Sequence, residues 1–213
     1  MISYFLLPYS IIADESDESA KAFRGVVKEA INRFTCTRSN SVSDFVHNKM
    51  NGIEKSHDGC TYLFVTRSKS GSFIEIAGFF ELCLTSIDFS RLSKNKRSEF
   101  KGAHTHLRGD HAGSYSIGEL GRSELFTKED LPGEVILQEA INIIVDCRNR
   151  ISGRYTLIEA RDEIFESLYK PYGFKKVDTT HVEREGDCPI VVGMAKTTKW
   201  EIVPVDRGNA LTA

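Results

Sequence analysis

No uninterrupted apolar run in this 213-residue sequence approaches the roughly 18 residues that cross a bilayer, so a helical membrane span is not expected. The opening residues 1–8 are apolar but lack the basic flank and small-residue cleavage site of a secretory leader, which places the expected location in the cytoplasm. Cys36, Cys60, Cys83, Cys147 and Cys188 are odd in number and show no Cys-x-x-Cys spacing. A disulfide framework and a zinc ribbon are therefore not expected, and the thiols read as reduced. No histidine stands near any of them in a pattern that suggests a nucleophile. Positive charge is not in excess either: 28 Lys and Arg face 30 Asp and Glu, for a net charge of -2. That balance argues against a surface dedicated to nucleic acid, while a local basic patch stays open. Internal repeats and low-complexity tracts are missing as well.

What is present is the composition of a globular chain, 40% hydrophobic and 27% charged, long enough for one sizeable domain or one with an appendage. Residues 2–12 read as a strand interrupted or ended at Pro8. The acidic run Asp14-Glu15-Ser16-Asp17-Glu18 suits a helix start, because carboxylates meet the positive end of the helix dipole. Ala22, Phe23, Val26, Val27, Ala30, Ile31 and Phe34 follow at helical spacing, and a second helix carries Phe45, Val46 and Met50. At Cys60 the period changes to two. Residues 62–66 and 73–84, joined by Ser68-Lys69-Ser70-Gly71-Ser72, read as a hairpin.

Residues 90–113 break that pattern. Arg91, Lys94, Lys96, Arg97, Lys101 and Arg108 outnumber Glu99 and Asp110, and the stretch reads as a mobile basic insertion, either a solvated loop or a substrate-contacting flap. His104, His106 and His111 fall within it, but no carboxylate or thiol lies at a familiar ligand spacing, so no metal is expected. Residues 114–122 read as a strand. Val135, Ile136, Leu137, Ala140, Ile141, Ile144 and Val145 then form the apolar stripe of a helix that covers a sheet. Ser152-Gly153 ends it. Strands at 155–160, 175–177 and 190–195 follow, and the tail after Pro204 reads as frayed.

Three segments carry a family resemblance. They are Leu120-Gly121-Arg122-Ser123-Glu124-Leu125, then Asp130-Leu131-Pro132-Gly133-Glu134-Val135 at a helix start, and Leu168-Tyr169-Lys170-Pro171-Tyr172-Gly173-Phe174. Together they resemble the GNAT superfamily of acetyl-CoA-dependent N-acetyltransferases, over roughly residues 34–195. Phe34-Thr35-Cys36, Asp44-Phe45-Val46, Ile76-Ala77-Gly78-Phe79-Phe80 and Leu157-Ile158-Glu159-Ala160 bring it nearest to the bacterial toxin-like branch. The resemblance implies an α/β fold in one domain spanning 1–213, with a central mixed sheet flanked by helices and a splay between two neighbouring strands. It also implies transfer of an acetyl group from acetyl-CoA to a primary amine, whether of a small molecule, a protein or an aminoacyl-tRNA. A cognate antitoxin and a homodimer are open with it.

Residue roles follow from the same resemblance. Tyr169 takes the part of general acid for the departing thiolate, against the alternative of a tyrosine packed on Phe174. A main-chain N–H of Ser123 or Leu125 holds the thioester carbonyl. Glu119 and Glu81 are the candidate bases, although strand alternation alone puts such residues toward solvent. Ser123, Glu124, Leu125, Lys128, Leu131, Gly133, Glu134, Val135 and Asp162 are the cofactor-binding candidates. Asp162 reads equally as a helix N-cap, and Arg122 as an anion contact or a surface ion pair. The loop departs from the family pattern, since Asp130 and Val135 flank the one glycine it keeps, Gly133. That departure supports the rival reading of a GNAT-fold binding or regulatory protein with weakened or lost catalysis.

Overall fold

The computed structural model describes residues 1–16, 18–68, 70–101, 110–177, 184–185 and 188–208. The strands are β1 Phe5–Pro8, β2 Cys60–Arg67, β3 Ile74–Asp88, β4 His111–Arg122, β5 Tyr155–Arg161, β6 Lys175–Lys176, β7 Arg184–Glu185 and β8 Cys188–Lys196. The helices are α1 Ser10–Ala13, α2 Lys21–Asn32, α3 Asn40–Asp44, α4 Met50–Ser56, α5 Lys94–Lys101, α6 Gly133–Ile151 and α7 Asp162–Ile164. Single π-helical segments, Phe45–Lys49 and Phe165–Tyr169, continue α3 and α7. The strand order is β1-β2-β3-β4-β5-β8-β6, with β7 beside β8. Parallel pairing of β4 and β5 beside antiparallel neighbours makes the sheet mixed.

The chain divides into two compact units: Met1–Cys83 with Glu119–Ala140 and the segment from Pro204, and Leu84–Gly118 with Ile141–Val203. In the first, β2 and β3 form the antiparallel hairpin expected from their alternation, with a register shift at Phe64/Val65. One face of this hairpin carries Leu63, Val65, Ile76 and Phe79, buried against Val27, Ala30, Ile31, Phe34, Phe45 and Met50. Phe79 lies at the centre of that layer, stacked on Phe45 at 5.3 Å and edge-on to Phe34 at 5.7 Å. Phe23 and Val26 of α2 remain exposed, so its core face is narrower than its run of apolar residues. β1 is shorter than residues 2–12. Proline donates no ladder hydrogen bond and suits the end of an edge strand; beyond it the Tyr9 N–H bonds Thr61 O, and the carbonyl of Tyr9 opens the turn α1.

In the second unit, Ser114–Ile117 of β4 pair in parallel with Tyr155–Ile158 of β5, and the pairing ends there. β4 itself runs on to Arg122 and β5 to Arg161. The described pairing of the two strands therefore covers four residues of each. A separate core of Phe89, Leu92, Phe100, Ala112, Tyr155 and Met194 belongs to this unit. The 90–113 stretch is in part ordered by that core: Phe100 anchors α5, and the Tyr155 hydroxyl donates to Phe100 O at 3.0 Å. His104, His106 and Arg108 lie outside the described residues.

The tail corrects another expectation. Residues 204–208 form no helix or strand, yet they are not frayed: Arg207 holds the buried carboxylate of Glu139 with two bonds of 2.7 and 2.8 Å. Tyr4 donates its hydroxyl to the same carboxylate at 3.0 Å, and its N–H bonds Arg207 O. Burial, then the Glu139 charge, pushes the Tyr4 hydroxyl well above the ordinary tyrosine range. Breaking a buried pair strands a charge, but the Arg207 side chain is 46% exposed, which discounts the loss. Arg207→Ala is expected to cost about 2 kcal/mol in urea unfolding. An unchanged midpoint would show that this tie contributes nothing.

Candidate functional site

In the first unit the end of β4, the loop after it and the start of α6 form one tightly bonded piece. Its geometry depends on two glycines. A β-carbon on Gly78 would lie 2.8 Å from Gly121 O and 2.9 Å from Leu131 Cδ2, and one on Gly121 would lie 2.5 Å from Val42 Cγ1. The Ser123 N–H is committed to Ala77 O at 2.9 Å, and the Glu124 N–H to Thr35 O at 2.9 Å. Glu124 also accepts the Thr37 N–H at 2.9 Å, which, with further bonds from Thr37 and Thr35, holds its carboxyl below the usual glutamate range. The segment from Ser123 is thereby locked to the 35–37 turn.

This bonding revises several expectations. Ser123 cannot hold a thioester carbonyl with an N–H that Ala77 already accepts. Leu125 donates to the Ser123 hydroxyl at 3.3 Å, at the long end of such bonds. Because amides alternate along a strand, those of Leu120 and Arg122 point to the edge of β4 opposite Ser123. Leu131 is fully buried, its N–H bonds Thr127 O, and its carbonyl accepts Arg122 Nη1 at 2.8 Å. It therefore packs the loop and offers a cofactor nothing polar. Arg122 likewise makes no ion pair among the described residues, and its Nη1 is bonded to Leu131 O.

Asp130 turns its carboxylate onto the Thr127 N–H at 2.9 Å, a local turn that directs its charge to the loop's own backbone. Val135 and Ile136 both donate to Pro132 O. Gly133 opens the 19-residue α6 with an N–H that meets no acceptor among the described residues. A helix start with such an amide suits a phosphate, since unpaired N–H groups and the helix dipole act together. Glu134 is exposed, and Lys128 is exposed beside Glu129 at 4.0 Å.

Glu81 is not the solvent-facing residue that alternation suggests. It is 7% exposed, and the N–H of Glu119 donates to its carboxylate. Burial, with a smaller push from the charge of Glu54, holds the Glu81 carboxyl above the ordinary range. Glu54 is buried to the same degree and is likewise raised by burial. Glu119 is half-buried.

In the second unit Tyr169 ends the π-helical segment and is 5% exposed, edge-on to Phe174 at 5.5 Å. Such π segments recur at functional sites, because the extra residue re-aims a side chain. Phe174 in turn packs on Trp200, whose Nε1 donates to Tyr172 O at 3.0 Å. Asp162 is not the N-cap of α7; that position is Arg161. Its carboxylate pairs with Lys176 at 2.6 Å, and Lys176 also reaches Glu166 at 2.8 Å. Bonds from Lys170 and then Lys176 lower the Glu166 carboxyl to about 2. No group of three or more His, Cys, Asp and Glu is placed to hold a metal ion among the described residues. No described helix is long and apolar enough to cross a membrane.

This architecture, α/β with a mixed sheet flanked by helices and an interrupted β4–β5 pairing, is the GNAT fold. No family model and no curated protein matches the sequence. Solved structures do match. A tyrosine-to-phenylalanine mutant of KacT is similar at a TM-score of 0.63 and 12% identity, over 92% of this chain and 96% of that one. AtaT complexed with acetyl-methionyl-tRNAfMet matches at 0.60 and 15%, over 92% and 95%. An AtaT mutant toxin bound to the C-terminus of the antitoxin AtaR and acetyl-CoA matches at 0.58 and 12%, over 92% and 94%.

Because Glu54 and Glu81 bind protons more tightly when buried, the folded state holds more protons than the unfolded chain above the ordinary glutamate pKa. Stability from these two groups is full at low pH and falls as pH rises through their folded values. Glu54→Gln and Glu81→Gln are each expected to flatten the fall of the urea midpoint above about pH 4.5. A steeper fall in either variant would contradict the burial argument.

Proposed function

We propose that the protein is an acetyl-CoA-dependent N-acetyltransferase of the toxin-like kind, moving an acetyl group to the α-amino group of an aminoacyl-tRNA. The observation that carries this reading is the likeness to AtaT and KacT along nearly the whole chain. Acetyl transfer needs a deprotonated amine, a polarised carbonyl and an acid for the thiolate. In the proposal the cofactor's pyrophosphate meets the first turn of α6 at Gly133 and Glu134, with Lys128 as a mobile counter-charge. Main-chain N–H groups near the end of β4, from Leu120, Arg122 or Leu125, polarise the thioester carbonyl as oxyanion donors do. Glu81 takes the ammonium proton and Tyr169 protonates the departing sulfur.

The net charge of -2 no longer weighs against a tRNA acceptor once it is divided. Residues 84–118 and 141–203 carry sixteen Lys and Arg against thirteen Asp and Glu, and the remainder carries twelve against seventeen. Phosphate attraction then rests with the second unit. An antitoxin belongs to the proposal too, by analogy with the AtaT complex.

Tyr169→Phe is expected to lower kcat about ten- to a thousandfold, the scale of a lost general acid, with the KM for acetyl-CoA unchanged. Wild-type turnover in that variant would remove Tyr169 from the mechanism. Affinity for aminoacyl-tRNA is expected to fall steeply with added salt, because each phosphate contact releases counterions. If no binding is seen at low salt, the acceptor is a small amine or a protein amine instead.

A further inference from the structure

Two buried carboxylates, Glu81 on β3 and Glu54 on α4, flank Thr61 of β2. Glu54 accepts the Thr61 N–H at 2.9 Å, and Thr61 O accepts the Tyr9 N–H at 2.8 Å. Both peptide groups of Thr61 therefore face away from β3. Its register partner on β3 is Glu81. The two form a non-hydrogen-bonded pair, the kind whose side chains share a face and approach most closely. Thr61 is 1% exposed, and its hydroxyl has no hydrogen-bond partner among the described residues. A buried hydroxyl left unpaired beside two acids calls for an account, since nearly all such groups in folded proteins are satisfied.

Gly59 completes the niche. A β-carbon there would lie 2.5 Å from Glu81 Oε1 and 3.3 Å from its Cδ, so a glycine leaves the carboxylate room to reach this place. On its other side Glu54 lines an open cavity of about 600 Å³ with Ser10, Asp14, Lys55 and His57. Glu81 is thus the register partner of Thr61, Glu54 accepts the main-chain N–H of Thr61, and Glu54 also borders the open cavity.

We infer that Glu81, the Thr61 hydroxyl and Glu54 form a proton route, which carries the proton of the acceptor ammonium from Glu81 to the cavity beside His57. The inference rests on the acetyltransferase reading and adds where the proton goes. An N–H bond of the ammonium breaks and an O–H bond forms at Glu81. That proton then passes to Glu54 through the Thr61 hydroxyl and a water on each side of it, since the hydroxyl bonds neither carboxylate directly, and from Glu54 to solvent. Both carboxylates return to their starting charge, and no oxidant or reductant takes part.

The surroundings suit two acids that exchange a proton. Burial raises both carboxyls. The N–H of Glu119 draws Glu81 down in part, while the Thr61 N–H and the charge of His57 do so for Glu54. The other charged or titratable neighbours are Tyr9, which feels Glu54, and Asp14 and Lys55 at the cavity. Glu119 is itself felt by Lys49.

The test uses Thr61→Val, Thr61→Ser and Glu54→Gln in the full chain. It reads kcat and KM across pH, and the carboxyl titrations by carbon-13 NMR in the resting protein. A purely structural Thr61 predicts unchanged turnover in Thr61→Val and equal or better stability, because the variant swaps an unpaired hydroxyl for a methyl of the same shape. The route predicts a kcat at least about tenfold lower with KM unchanged, restored by Thr61→Ser. In Glu54→Gln, loss of a neighbouring negative charge should move the Glu81 titration, and the acidic limb of the rate profile, to lower pH. Wild-type kcat in Thr61→Val, or a Glu81 titration unmoved by Glu54→Gln, overturns the route and leaves acetyl transfer standing. Coupled titrations in a protein that transfers no acetyl group overturn both.

Discussion

Two missing β-carbons set the geometry on which the first unit depends. Gly78 and Gly121 bring the backbone of β3 and the end of β4 together under Leu131 and Val42, at distances where any side chain would collide. That approach lets Ser123 bond Ala77 and fixes Glu124 against the 35–37 turn. With the strand end fixed, Arg122 reaches Leu131 O and Asp130 folds onto Thr127, and α6 begins at Gly133 with a first amide that meets no acceptor among the described residues. Close packing at two glycines thus becomes a defined helix start, which is where an anionic cofactor is most easily held.

The same unit shows how burial changes the meaning of a residue. Glu81 sits on a strand where alternation predicts an idle surface acid, yet the α4 side of the sheet removes it from water and the main chain of Glu119 holds it. Glu139 is buried as deeply and serves a different end. Arg207 and Tyr4 both satisfy it, one from each side of it in the sequence. Partners decide which buried acid can work and which merely ties segments together.

Much of the fold was legible in the sequence because periodicity reports burial. The β2–β3 hairpin, β4, β5 and the long α6 all followed from spacing. What stayed hidden had no such signature. Ser10-Ile11-Ile12-Ala13 has strand-like residues but turns helically, because Tyr9 is tied to Thr61. Lys94–Lys101 has a single buried apolar side chain, Phe100, so no period marks it as a helix. At the site, the residue identities of Ser123 and Leu131 suggested ligand contacts, but the Ser123 N–H and both peptide groups of Leu131 are bonded within the protein. Thr61 and Gly59 gave no signal, since a strand threonine and a turn glycine are ordinary until a register puts them beside Glu81.

The central claim is that the amino end of α6 seats the pyrophosphate of acetyl-CoA although the loop keeps one glycine of the family pattern. Calorimetric titration with acetyl-CoA tests it most directly, with Gly133→Pro as the comparison, since that change removes the first amide of α6 at a position where proline is tolerated in a helix. The account predicts saturable one-to-one heat for the natural chain and clearly weaker binding for the variant. Absence of heat and of thermal stabilisation at millimolar acetyl-CoA would contradict it.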